Sequence, residues 1–437
     1  MSLQPRLPES VQLRIIAHVP EKAAKIFRAC SLTCRAWREP SQRLLHKWVW
    51  IQAPGAQMPL DAAKPLSLDR YSDPRVASYV TEINLEGFDF SIYTPPTAQH
   101  VEVTGDDIAF RLLERFPNLR LVKFDDCMRI ERPNGDISAL ERVFRNVERM
   151  NVSDSDSSNF IGFFSFLFSF PRLSVLELTR VAWYDNEHPD LQEFMLSQDS
   201  FALVTHLEEL RFCNAVADDH CPVLFDIRGW LSVIPHVQFH PNFRLVFGYA
   251  KAFEGRYLPA LLKALGPALK RLHLRDMPKP LRVFNFPHLL IFNTSLREIA
   301  ITIDRKRNGP EWVRYVLSQV APTACIRKLV FKCDVYDKNA LQAWTRGGID
   351  LPEPELEGSL PFLQLNGLLS IPQYSRLEEV VINYHWPDEL PEDNREAMEW
   401  MEECLLEDLE EDLPNLCSNV KVTLKRRTKL ITQVDDD

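Results

Sequence analysis

Residues 258–274 read LPALLKALGPALKRLHL, and two periodicities meet inside them. Leu258, Leu261, Leu262 and Leu265 recur at helical spacing, and Gly266-Pro267 then stops the helix. Leu269, Leu272 and Leu274 follow at positions one, four and six of a six-residue word. Positions four and six share one face of an extended strand. Position one tucks in as the chain turns into that strand.

The same word recurs along the chain. It reads VTEINL at 80–85, LRLVKF at 119–124, VERMNV at 147–152, LSVLEL at 173–178 and LEELRF at 207–212. After LKRLHL come LREIAI at 296–301, IRKLVF at 326–331 and LEEVVI at 377–382, with a looser VKVTL at 420–424. Charged residues sit between the apolar positions, as expected for a strand buried on one face only. The word is the L-x-x-L-x-L strand signature of a leucine-rich repeat. Successive sixth positions lie 39, 28, 26, 34, 62, 27, 30 and 51 residues apart. Three of these intervals fit a 20–29-residue period. The 62 and 51 each point to a hidden unit, with FRLVFGY at 243–249 as the candidate in the first.

Helical patterns fill the gaps. FIGFFSFLFSF at 160–170 precedes Pro171 and the LSVLEL word, and WVRYVLSQVAPTACIRKL at 312–329 repeats the arrangement. The unit is helix, proline-marked turn, strand. One copy cannot bury its apolar face, so copies must stack. The expected fold is α/β, an irregular leucine-rich-repeat solenoid of horseshoe form over 76–430. A doubly covered parallel sheet would instead show continuous apolar strands. FIGFFSFLFSF is too short to span a bilayer, which takes roughly 20 apolar residues, and reads as a buried helix.

Composition narrows the function. The 437 residues are 45% apolar and 26% charged, with a net charge of −10. Residues 388–413 hold thirteen acids and one base, Arg395; removing that −12 from the total leaves +2 elsewhere. A general nucleic-acid binder needs a basic surface, so that class is disfavoured. Met398, Met401, Leu405 and Leu409 share a helical face within the acidic stretch. It reads as a helical insertion that closes the repeat array, with a docking surface for a basic partner as the alternative. Lys425, Arg426, Arg427 and Lys429 balance these acids. The nine cysteines are scattered, and MSLQPRLPES lacks the basic start and apolar core of a leader, which points to the cytoplasm or nucleus.

No phosphate loop, nucleophile elbow or H-E-x-x-H stands in the chain, so neither catalysis nor a cofactor is expected. The DDHCP stretch at 218–222 lacks a second ligand pair, so no metal is expected. Residues 52–75, with Pro54, Pro59, Pro65 and Pro74, read as a linker or cap.

Residues 1–51 parse into three short helices. Pro8 opens the first; Val11, Ile15, Ile16 and Val19 form its face; Ala23, Ile26 and Phe27 supply the second; Leu32, Trp37, Leu44 and Leu45 belong to the third, with Pro40 bending it. So small a segment has a marginal core and is expected to lean on a partner. Leu7-Pro8-Glu9 and the word Cys30-Ser31-Leu32-Thr33-Cys34-Arg35-Ala36-Trp37-Arg38 resemble the F-box, and LPALLKALGPALKRLHL resembles the repeats of many fungal F-box proteins. Thr33 stands where valine is usual, and Ser10-Val11 where Glu-Leu is commoner. The resemblance implies the substrate receptor of a Skp–cullin–F-box ubiquitin ligase. Leu7, Pro8, Val11, Ile15, Leu32, Thr33 and Trp37 would then touch the Skp-type adaptor, and through it a cullin, while Ile16 and Ile26 fill the segment's own core. The alternatives are a leucine-rich scaffold with a vestigial F-box and an F-box complex that degrades nothing. Cys30 and Cys34 lack metal or redox spacing; Cys30 is expected at an inter-helix turn and Cys34 under the Trp37 ring. No membrane partner is expected. Target contacts are expected at exposed strand positions: Lys123, Asp125, Glu177, Arg211, Arg275, Lys332 and Asn383.

Overall fold

The computed structural model describes residues 24–33, 35–52, 71–88, 113–128, 142–159, 170–185, 207–213, 239–248, 257–275, 289–303, 310–334, 371–385 and 420–427, with isolated positions at 11–16, 163–167 and 369. The chain divides into two compact units, Met1–His206 and Leu207–Asp437. Leu7, Pro8, the linker at 53–70 and the acidic stretch at 388–413 lie outside the described residues.

In the first unit, helices α1 (Ala24–Thr33) and α2 (Arg35–Leu45) lead into strand β1 (Trp48–Gln52). After a short helix α3 (Pro74–Ala77) come β2 (Glu82–Glu86), β3 (Leu121–Asp125), β4 (Arg149–Ser153), β5 (Asp156–Asn159), β6 (Val175–Thr179) and β7 (Ala182–Asp185). β1, β2, β3, β4 and β6 pair in that order, all parallel. β5 and β7 form a second parallel pair. The second unit contains β8 (Glu209–Cys213), β9 (Arg244–Gly248), α4 (Tyr257–Leu265), β10 (Arg271–Arg275), β11 (Glu298–Ile303), α5 (Pro310–Ser318), β12 (Lys328–Asp334), β13 (Glu379–His385) and β14 (Lys421–Arg427). These seven strands also pair in chain order and in parallel.

The six-residue word sets the register. Position four aligns with position four on the neighbouring strand, as in Ile83↔Val122↔Met150↔Leu176 and Leu272↔Ile299↔Leu329↔Val380. All these side chains are buried, together with the leucines, isoleucines and phenylalanines at position six. One carbonyl locks most steps: the position-two oxygen accepts two successive N–H groups from the next unit, or a single one at Glu208 and Glu378. Thr81 O receives Arg120 N at 2.8 Å and Leu121 N at 3.0 Å; Arg297 O receives Arg327 N at 2.8 Å and Lys328 N at 3.1 Å.

Strand exits in the first unit repeat too. Gly87, Asp126, Asp154 and Arg180 each follow a strand with φ of 70°, 52°, 49° and 52°. Left-handed backbone suits glycine and is tolerated by aspartate, but is uncommon for arginine. There each N–H reaches the next strand: Gly87 to Asp125 O, Asp126 to Ser153 O and Asp154 to Thr179 O, at 3.0, 3.1 and 3.0 Å. Arg180 is further held by a two-pronged ion pair with Asp154.

Three residues before each word sits a turn residue. In the first unit these are Phe116, Phe144 and Phe170, all buried, with Phe144 stacked on Phe170 at 4.5 Å. In the second unit Asn293 and Tyr374 take that place and close helix ends, whose last carbonyls lack intrahelical partners. Asn293 Nδ2 donates to Leu262 O and Gly266 O, both at 2.9 Å. Tyr374 Oη donates to Leu317 O at 2.7 Å, and burial pushes its hydroxyl pKa up.

Several sequence expectations shift. FRLVFGY does hold a strand, β9, which resolves the 62-residue gap, whereas the 51-residue gap hides no strand of the sheet, because β12 pairs directly with β13. Phe163, Phe166 and Leu167 of the FIGFFSFLFSF stretch are helical and buried. Leu32 lies in the last turn of α1, the helix of Ile26 and Phe27, rather than joining the next helix. Cys30 lies inside α1, not at a turn. Residues 48–52, read as part of the helical segment, form β1, because Val49 and Ile51 align with Ile83 and Leu85 and are buried with them.

The stacked rings and the surface pair make opposite demands on stability. Phe144→Ala is expected to lower unfolding free energy by about 3–5 kcal/mol. Arg180→Ala, which breaks a partly exposed pair, should change it by less than about 1 kcal/mol. Urea denaturation followed by circular dichroism compares them.

Candidate functional site

Strand alternation sends positions three, five and seven to the face opposite the core. In the second unit these positions enclose a hollow of about 330 Å³. Its floor is apolar and small: Val246, Ala300, Val330 and Val381 at position five. Alanine between longer neighbours makes the depression. The rim carries Arg211, Arg244, Arg275, Lys328, Lys332 and Lys425 against Glu209 and Glu298, so cations exceed acids by four.

The rows differ in how their charge is balanced. At position three, Glu209 meets Arg244 at 3.7 Å, and Lys328 meets Glu379 at 2.7 Å. Lys328 holds the Glu379 carboxyl below its ordinary range. Glu209 also takes Arg211 Nε from position five, at 2.7 Å. Position seven contains no acid in this unit: Cys213, Gly248, Arg275, Thr302, Lys332, Asn383 and Lys425. Thr302, Lys332, Asn383 and Lys425 are direct register partners, and Arg275 follows Leu274, the partner of Ile301.

Two buried polar groups mark the hollow. His273 is 2% exposed, with Nε2 3.2 Å from Thr302 Oγ1. Burial first, then the charges of Lys332, Arg244, Arg275 and Arg211, hold its pKa well below 6.5, so the ring is neutral. Asn383 is 5% exposed, and its Oδ1 has no hydrogen-bond partner. Buried acceptors are rarely left unpaired.

Four of the expected target-contact residues, Arg211, Arg275, Lys332 and Asn383, line this one hollow, but they are not exposed as expected: Arg275 is half-buried, and Arg211, Lys332 and Asn383 are buried because neighbouring strands pack beside them. Lys123, Asp125 and Glu177 belong to the first unit, at positions five, seven and five of their words. Asp125 accepts from Ser153 Oγ at 2.7 Å, and Glu177 is buried. His273, Thr302, Arg244 and Lys425 were not among the expected target contacts, although each stands at a position the word itself defines.

A second surface lies on the helical segment of the first unit. Leu32 is 86% exposed, and Val11, Ile15 and Thr33 are exposed too. Thr33 Oγ1 turns back to Ala29 O at 2.9 Å. Trp37 is half-buried. Ile16 and Phe27, each 1% exposed, form the local core. Ile26, expected in that core, is exposed instead. The Cys34 side chain lies outside the described residues.

Among the described residues, no cluster of histidine, cysteine and carboxylate could hold a metal. No described helix is long and apolar enough to cross a membrane. Burial pushes the Cys127 thiol up to about 12, and Sγ points at Leu85 O, 3.3 Å away, so it stays protonated. No family model matches the chain, and no curated protein matches it.

The neutral His273 links stability to pH. The unfolded chain takes up a proton below about pH 6.5, whereas the folded one does so only at lower pH, so stability is fully present above that value and falls beneath it. The slope reaches at most about 1.4 kcal/mol per pH unit. Between pH 7 and pH 5.5 the melting temperature of the wild type should drop more than that of His273→Gln, as read by differential scanning fluorimetry.

Proposed function

We propose that the chain is the substrate-recognition subunit of a Skp–cullin–F-box ubiquitin ligase. The observation that carries this reading is the 86% exposure of Leu32 inside the CSLTCRAWR word. A leucine left in water on a segment whose Ile16 and Phe27 are buried is the kind of side chain an adaptor covers. Exposed Val11 and Ile15 add to that apolar surface. In this reading α1, α2 and the helical positions at 11–16 are the F-box, and Leu32, Val11 and Ile15 dock the Skp-type adaptor.

The strand array is then a leucine-rich-repeat solenoid. A main strand order that never reverses, the recurrent word and the shared position-two carbonyl support this over a doubly wound sheet, whose order reverses at a switch point. The receptor itself performs no chemistry. Holding a target beside activated ubiquitin raises the effective concentration of its lysines. The open strand face is the target-docking surface.

Co-expression with a Skp-type adaptor tests this. Co-elution of the two chains is expected, with Leu32→Asp weakening binding at least about tenfold while leaving the melting temperature unchanged. Failure of the intact chain to co-elute would leave the scaffold with a vestigial F-box as the surviving alternative.

A further inference from the structure

We infer that the hollow of the second unit binds an extended, glutamate- and aspartate-rich segment of a protein target, lying across the strands; that this segment belongs to a ligase target rests on the function proposed above. Three independent features of the site define the occupant.

The first is charge order. Along position seven, cations stand on β10, β12 and β14, as Arg275, Lys332 and Lys425. Neutral Thr302 and Asn383 occupy the strands between them. Neighbouring strands lie ~4.8 Å apart, so the cations recur at ~10 Å. A peptide extended in the polyproline II form has three residues per turn and rises ~3.1 Å per residue, so acids three residues apart share one face at about the same spacing. One phosphate group cannot reach charges distributed in this way.

The second is the unpaired acceptor. Asn383 Oδ1 is buried between Lys332 and Lys425 in the row and has no partner. A bare anion offers it nothing. A peptide offers a backbone N–H, so the ligand carries an amide donor as well as negative charge.

The third is the floor. Ala300, Val330 and Val381 form a small apolar patch beneath the row. It accepts a short aliphatic side chain between the acids. His273 stays neutral beside Thr302, so it adds no further charge at neutral pH.

The test uses the full-length chain and a fluorescein-labelled nonapeptide with glutamate at positions 1, 4 and 7 and alanine or valine elsewhere, read by fluorescence anisotropy. Saturable binding is expected, weakening as salt rises. It should fall at least tenfold for Lys425→Glu, a solvent-exposed change that leaves the core intact, and further for Lys425→Glu combined with Arg275→Glu. Three results would each overturn the inference: equal binding of the glutamine-substituted peptide, unchanged binding by Lys425→Glu, or tighter binding of either a peptide with a single phosphoserine and no glutamate or a nine-nucleotide single strand. Peptide binding needs no adaptor. A chain that binds the peptide but does not co-elute with the adaptor keeps the acidic-segment site and rejects the ligase reading. A chain that co-elutes but ignores the peptide does the reverse.

Discussion

Each strand here buries positions four and six on one shared face, and that single fact organises both units. A five-residue strand with buried positions four and six cannot cover itself. It becomes stable only when the next unit repeats the same apolar pair at the same register. The position-two carbonyl enforces that register by receiving two N–H groups from the following unit, from Thr81 in the first unit to Arg297 and Arg327 in the second. A one-residue slip would send every buried side chain to the opposite face. Hydrophobic burial and main-chain geometry therefore select the same alignment.

The opposite face inherits this alignment. Positions three, five and seven are stacked into rows by the core beneath them, so charges far apart in sequence become neighbours. Arg275 and Lys425 are separated by 150 residues yet line one hollow. Pairing at position three offsets much of the charge there, as in Lys328 with Glu379. Position seven of the second unit has no acid, whereas that of the first unit carries Glu86 and Asp125 and no base. The two open faces thus offer opposite charge on the same backbone plan.

The word and its order were legible in the sequence because burial on one face writes a fixed pattern of apolar residues. Even the irregular 62-residue interval yielded its strand once FRLVFGY was set against the word. Helix limits were less legible. Leu32 resembles a core residue by type, and only the extent of α1 shows it in that helix's last turn, facing water. The Asn293 and Tyr374 closures were hidden for another reason: their partners, the last carbonyls of α4 and α5, carry no side-chain signature. At the hollow, Arg211, Arg275, Lys332 and Asn383 were readable one at a time. Their convergence, the Ala300 depression and the neutral state of His273 follow from neighbours that only the register supplies.

The register of the second unit is therefore the claim to test, and a pair of engineered cysteines does so directly. Thr302 and Lys332 are direct partners on adjacent strands, so Thr302→Cys with Lys332→Cys should form a disulfide under mild oxidation, seen by peptide mass spectrometry. Thr302→Cys with Asn383→Cys spans two strand spacings, roughly 10 Å, and should stay reduced. A bridge in the second pair, or none in the first, would contradict the alignment on which the hollow is built.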